Sequence, residues 1–441
     1  MASAELIEDV AVHGSRIVVK AGRAFRKRYL AEDFFVEYDA DIPLSTLGES
    51  ILVIPFLLNV MPLVWRSGRS YRIPGLDGDF TASLEDIRQA FRTVYPRVPW
   101  DGELVPGRTT PRAASRGLAN AALLFSGGVD SAYSSLAQRD VVRSHITVQS
   151  LLGRWSWRNE RSQTAIQEYF RGYAARLGCE SRLITSNLRT FISEARLVGL
   201  WPDPRRWMIE VQHGLGFLGL CAPLTESLPI GQLLLASCER DHYGLPGGSH
   251  PDIVSAVRWA GVEVRLDGVE RTRQEKLRAI AAWLDNGHPP FELRPCLRPA
   301  EGFRNCGVCE KCLQTILGLA GEGSDPLRFG FTTTVPQALS TLREQVLGNQ
   351  LPMPDSGELL QWQDIQRAIR ERCVEGVGVG LSEPDEAVDL AWFAGLDLGR
   401  YFRRCQRGPR YAVRVVRRRL GLFVDRWPSL GRGVRRVLRR R

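Results

Sequence analysis

The stretch Leu123-Leu124-Phe125-Ser126-Gly127-Gly128-Val129-Asp130-Ser131 sets the reading of the whole chain. Ala121 to Phe125 is a short, unbroken apolar run, the pattern of a buried parallel strand. It meets Ser-Gly-Gly and passes directly into a helix expected over Asp130 to Gln138. Two glycines let a backbone turn tightly and come close to an anion. The first amides of the following helix point back at that anion, and the helix dipole favours negative charge there. Ser126 and Ser131 add hydroxyl donors, and Asp130 can hold Mg²⁺ or orient the turn. No lysine follows the glycines, so this is not a phosphate loop of the Gly-Lys-Ser/Thr type.

Outward from that turn the chain alternates. His145 to Leu152 reads as a second strand, Gln163 to Leu177 as a helix and Leu183 to Thr185 as a third strand. Met208 to Leu220 reads as a helix softened by glycines, Gln232 to Ser237 as a fourth strand and Val262 to Leu266 as a fifth. Such alternation implies an α/β fold: a five-stranded parallel sheet flanked by helices. Upstream, Ile17 to Lys20, Phe34 to Tyr38 and Ile51 to Leu58 read as strands, and Ser83 with Asp86 as the start of a helix. Arg97 to Arg116, with three prolines and little periodicity, reads as a linker.

A second pattern lies downstream. Cys296 is followed after nine residues by Cys306-Gly307-Val308-Cys309-Glu310-Lys311-Cys312. Four closely spaced cysteines suit tetrahedral zinc in a structural site, with all four positions filled by protein. An iron–sulfur cluster is the minor alternative. Four of the nine cysteines thus fall within seventeen residues, a pattern of a reducing cytoplasm rather than a disulfide framework. The acidic start, Met1 to Asp9, does not read as a secretory signal, and Ile51 to Trp65 is too short to span a bilayer.

Ser-Gly-Gly-x-Asp-Ser after an apolar strand resembles the pyrophosphate-binding loop of the PP-loop ATP pyrophosphatases, which cleave ATP between its α and β phosphates and transfer AMP to a substrate oxygen. Together with Cys…Cys-Gly-x-Cys-x-x-Cys, it is similar to the QueC family of 7-cyano-7-deazaguanine synthases over about residues 119 to 322. The resemblance implies ATP and Mg²⁺ bound by Ser126, Gly127, Gly128, Val129, Asp130 and Ser131, and zinc bound by Cys296, Cys306, Cys309 and Cys312. It implies adenylation of a 7-carboxy-7-deazaguanine-type carboxylate, with Ser126, Asp130 and Lys276 as catalytic candidates. Asp241, Tyr243 and Asp252 fall in a stretch similar to the family's substrate loop. The family's Gly-Gln-Arg-His segment is absent; Trp155 and Trp157 stand in that region and either stack on a base or pack in the core. Resemblance to family members near this length implies attachment of the deazaguanine to a partner protein in antiphage defence. A tRNA-modifying sulfurtransferase, which would need a reactive cysteine pair with Cys221 and Cys238 as candidates, and a non-catalytic nucleotide-binding scaffold are the rival readings.

The formal charge of +10 hints at nucleic acid or an anionic membrane until it is divided. Arg400 to Arg441 holds sixteen arginines and one acid, a net +15, so the other 399 residues carry −5. The basic excess is one tail, whose run from Tyr411 to Val424 has amphipathic helical spacing. A membrane, a nucleic acid and a merely solubilising role all fit it. The expected organisation is a β-rich domain at 1–96, a linker at 97–118, the PP-loop domain with its zinc knuckle at 119–322, a helical region at 323–399 and the tail at 400–441.

Overall fold

A computed structural model describes residues 3–38, 42–117, 120–149, 160–296, 301–353, 355–374 and 384–407. The upstream strands are β1 (Ala4–Glu5), β2 (Ile7–His13), β3 (Arg16–Ala21), β4 (Phe34–Tyr38), β5 (Ser70–Leu76) and β6 (Glu103–Thr109). The central ones are β7 (Ala121–Leu124), β8 (Val142–Val148), β9 (Glu180–Ser186), β10 (Gln232–Ala236), β11 (Arg258–Trp259) and β12 (Val262–Asp267). A small parallel sheet has the order β1-β5-β6, so the stretch expected as a linker contributes a strand, β6. The large sheet has nine strands, in the order β11-β12-β10-β7-β8-β9-β4-β3-β2.

The class is α/β, but the large sheet is mixed and wider than the expected five strands. Neighbours from β12 through β10, β7 and β8 to β9 pair in parallel. At one edge β11 is antiparallel; at the other β4, β3 and β2 are. An exposed edge strand would leave unpaired backbone groups. Strand β4 satisfies those of β9, in the register Val36↔Ser186 and Tyr38↔Ile184, with Phe34, Val36 and Tyr38 buried on one face.

The run Ile51–Leu58, expected as a strand, is helical instead, within Glu49–Leu52 and Ile54–Arg66. Pro55 occupies the first turn of the longer helix, where its missing N–H costs nothing. Ile54 to Trp65 are all buried, so no polar face marks a helical period. The polar Asn59 is satisfied inside the protein: its Nδ2 donates to the carbonyls of Pro55 (2.8 Å) and Gly216 (3.3 Å). A Cβ on Gly216 would stand 2.6 Å from Asn59 Oδ1. The glycines read as softening that segment therefore admit helix 54–66 at close range against helix His213–Leu220, which is preceded by a π-helical turn at Met208–Gln212. The upstream helix Gly78–Val94 begins earlier than expected. Asp77 caps it by accepting from the Phe80 amide (2.9 Å), while Ser83 is buried mid-helix and donates to the Ala256 carbonyl.

Alternation along the central strands separates two cores. Ala122, Leu124, Ile146, Val148 and Ile184 face helices 54–66 and 213–220. Ala121, Leu123, Phe125 and Leu234 face helices Val129–Ala137, Glu160–Arg176, Arg273–Asp285 and Glu310–Gly321. Helices Val335–Leu347, Ser356–Val374, Pro384–Gly395 and Leu398–Arg407 follow, in keeping with a helical C-terminal region, and pack on the second core. Among the described residues no helix is long and apolar enough to cross a membrane. Trp155, Trp157 and the tail beyond Arg407 lie outside the described residues.

Candidate functional site

Strand β7 is central because the sheet changes direction there. The chain steps from β7 to β8 and β9 on one side, while β10 pairs on the other. In open α/β sheets a crevice for ligands forms beyond the carboxyl ends of strands at such a point. The Ser126–Ser131 turn leaves β7 at that end. Gly127 has φ +75°, and a Cβ there would come within 2.9 Å of Tyr169, so both backbone and space require glycine. Gly128 caps helix 129–137 without a side chain, and the first intrahelical bond runs from the Ala132 amide to the Gly128 carbonyl (2.9 Å). The amides of Val129, Asp130 and Ser131 lie ahead of it, in the position from which helix N-termini hold anions. Ser131 Oγ knits the turn together, accepting from the Ser126 amide (3.2 Å) and donating to the Gly128 carbonyl (3.2 Å), with Ser126 Oγ 3.1 Å away.

Asp130 is held by two cations. One oxygen accepts from the Arg273 guanidinium, and the other lies 3.5 Å from Lys276 Nζ. Burial disfavours the charged carboxylate, but Arg273, Lys276 and Lys311 outweigh it and keep the carboxyl below its usual range. Both cations stand on the first turn of helix 273–285, fixed by a capping box between Thr272 and Glu275. Lys276 is 1 % exposed and donates to the Ser237 carbonyl (2.7 Å) and hydroxyl (2.9 Å), just past β10. The family resemblance singled out Lys276, one of only four lysines in the chain. Arg273 was missed; its signal was the Thr272–Glu275 capping box, which puts residue 273 in the same turn.

The candidate substrate residues separate. Asp241 joins the cluster: Oδ2 accepts from the Cys238 amide (2.8 Å), and Oδ1 is buried without a hydrogen bond. Burial pushes its carboxyl up to about 6, with Lys276 opposing and Asp130 adding to the rise. Tyr243 instead donates to Asp364 (2.6 Å) on helix 356–374, and Arg240 and Arg206 both pair with Asp355 at 2.8 and 2.9 Å. The turn after β10 is thereby fastened to the C-terminal helices. Asp252 is exposed in the short helix Pro251–Ser255, 3.7 Å from His250, and no hydrogen bond or ion pair joins it to Asp130 or Lys276. Cys221 is buried and Cys238 half-buried, and desolvation pushes both thiols far above their usual range.

The cysteines do converge. The four sulfurs of Cys296, Cys306, Cys309 and Cys312 lie within 4.8 Å of one another, with Cys296–Cys309 at 3.8 Å and Cys306–Cys312 at 4.0 Å. Zinc–sulfur bonds of about 2.3 Å give a tetrahedral edge of about 3.8 Å, whereas a disulfide needs about 2.05 Å. The donor set therefore suits a metal such as zinc. The Cys306 and Cys309 amides donate to the sulfurs of Cys296 and Cys306, at 3.4 and 3.3 Å, as they would to thiolates. Gly307, at φ +73°, makes the turn, and Cys309 caps helix 310–321. This knuckle also supports the turn after β7. Two residues before Cys296, the Arg294 amide donates to the Gly127 carbonyl (2.6 Å), and the Arg294 side chain lies over Tyr169.

Neither a protein-family model, nor a curated protein, nor a solved structure matches the chain. The assignment of a function rests on the geometry and on the motifs.

Proposed function

We propose that the chain is an ATP-dependent enzyme that adenylates a carboxylate, the substrate being of the 7-carboxy-7-deazaguanine type. The observation that carries this reading is the Ser126–Ser131 turn at the switch point of the sheet, its first-turn amides uncommitted to helical bonds and its Asp130 locked by Arg273 and Lys276. A carboxylate is a poor electrophile until AMP makes one of its oxygens a leaving group. The protein must hold two anions together and spread the charge that develops on pyrophosphate. The amides of Val129, Asp130 and Ser131, with the Ser126 and Ser131 hydroxyls, supply donors for the phosphates. Arg273 and Lys276 supply positive charge from a buried position, where it acts strongly. Mg²⁺ would arrive with ATP. Zinc on the four cysteines would be structural, bracing Gly127 through Arg294.

Asp241, whose carboxyl burial raises to about 6, would exchange a proton with substrate or amine. The acceptor of the activated acyl group is ammonia or an amine on a partner protein. Sulfur transfer is disfavoured because desolvation raises the Cys221 and Cys238 thiols above their usual range, and a thiolate is the reactive form. The test is ATP–pyrophosphate exchange across a panel of carboxylates that includes 7-carboxy-7-deazaguanine. Exchange that depends on one carboxylate and is lost in Ser126→Ala supports the reading. Absence of exchange with every carboxylate, in protein that carries its metal, overturns it.

A further inference from the structure

A cavity of about 420 Å³ lies against the sheet on the same face as helix 160–176. It arises because the sheet is wider than its helical cover. Helix 160–176 packs on β8 and β9. Beyond it, β4 and β3 continue the sheet, and their alternate residues Phe35, Glu37 and Arg16 line an open hollow beside Leu183 and Thr185 of β9. The intervening residues Ile17, Val36 and Ile184 are buried on the opposite face. Gln163 and Gln167 close the hollow from the helix side.

The lining has a specific chemistry. Its floor includes Gln149, only 3 % exposed, whose Oε1 accepts from Thr185 Oγ1 at 2.8 Å. At its rim the Arg16 guanidinium lies 4.0 Å over the Phe35 ring and 3.8 Å from the Glu37 carboxylate. Stacking on the Phe35 ring holds the flat Arg16 guanidinium in one orientation, its N–H donors directed sideways. A carboxylate beside a guanidinium matches a ring edge that carries an oxo acceptor next to N–H donors. Guanine presents that edge, and adenine, with an amino group where guanine has its oxygen, does not. The volume falls in the range of small-molecule sites.

We propose that this pocket binds a guanine-type base, with Glu37 accepting from its ring N–H and amino group and Arg16 donating to its oxygen. The pocket is near the nucleotide turn. Leu124 pairs with Ile146 in the β7–β8 register, and Gln149, three residues on, follows the carboxyl end of β8, the strand beside β7. That it serves as the substrate end of an adenylation site rests on the reading above; its taking a guanine-type base does not. The N-terminal strands would then supply the base specificity that the 241–252 segment was expected to carry.

Calorimetric titration of the full chain, without ATP, tests the proposal with guanosine, 7-deazaguanosine and adenosine. Guanosine and 7-deazaguanosine are expected to bind at least tenfold more tightly than adenosine. Glu37→Gln should weaken guanosine at least tenfold, leave adenosine unchanged and leave the thermal melt unchanged, since Glu37 is 46 % exposed. Ser126→Ala should leave guanosine binding intact. No saturable guanosine binding, no preference over adenosine, or guanosine affinity unchanged in Glu37→Gln each overturns the pocket. Guanosine binding without any pyrophosphate exchange keeps the pocket and removes the adenylation reading. Exchange without guanosine binding does the reverse.

Discussion

Ala121–Phe125 and Ile54–Trp65 are both apolar runs whose residues are all buried, yet one is a strand and the other a helix. A segment enclosed on every side shows no periodicity, so the pattern of polar and apolar residues does not separate the two. Punctuation settles the first. Ser126-Gly127-Gly128 stops the strand and starts a helix through constraints on its own backbone. Punctuation misleads in the second, because Pro55 lands in the first turn of a helix and Asn59 is satisfied by Pro55 in its own helix and by Gly216 on a facing one. Residues that act on their own backbone are legible in isolation. Residues whose role is set by a facing element are not.

The contrast is tested most severely at the knuckle, which braces Gly127 from outside its own segment. Cys309→Ser, or chelation of the intact protein, is expected to cost more than about 4 kcal/mol of stability, because metal binding and local folding are one equilibrium there. Elemental analysis should find one metal per chain, and urea unfolding should shift with chelator. A metal-free chain with an unmoved midpoint would break the link between knuckle and turn.

Within the turn, Gly127→Ala is expected to cost about 2–4 kcal/mol, from its left-handed φ and its contact with Tyr169. Gly128→Ala, at φ −78° with Ser126 Oγ 3.4 Å away as its nearest neighbour, should cost less than about 1 kcal/mol. Equal losses in denaturant titrations would show that the two glycines are not distinguished by backbone and space.

Asp241 sharpens the comparison through pH. Its native carboxyl titrates near 6 against an ordinary 3.8, so the folded chain keeps a proton that the unfolded chain has released between those values. Its presence therefore lowers stability as pH rises from about 4 to 6, and the loss persists above 6. Asp241→Asn should gain on the order of 2–3 kcal/mol at pH 8 and nothing near pH 3. A gain that does not depend on pH would rule out the buried carboxylate as its source.

A further effect is expected at the helix contact. Gly216→Ala should cost about 1–3 kcal/mol by pressing a methyl group on Asn59. In the double variant with Asn59→Ala the losses should sum to less than the two singles, by about 1 kcal/mol. Strict additivity would mean that Asn59 and Gly216 do not meet as described.

Much of the candidate site is legible in the sequence. Cys296, Cys306, Cys309 and Cys312 are spaced for a tetrahedron, and their sulfurs gather. The Ser126–Ser131 turn follows a buried strand and opens a helix. What could not be read spans long separations. The pairing of β4 with β9 joins segments about 150 residues apart, and either strand alternates acceptably without the other. Arg273 and Asp130 are 143 positions apart, and Tyr243 and Asp364 are 121. Asp252 belongs to the stretch similar to the family's substrate loop, and the short helix 251–255 sets it at the surface, apart from Asp241.

The sequence by itself determined the α/β class, the glycine turn and the four sulfur ligands, because each depends on local backbone freedom or on ligand type at short spacing. Only the tertiary structure decided that the sheet has nine strands, that Ile54–Arg66 is a helix and that Arg273 shares Asp130 with Lys276. It alone opened a pocket between the N-terminal strands and helix 160–176. Those outcomes depend on which surfaces are buried against each other, and that is fixed by packing over the whole chain rather than by any one segment's pattern.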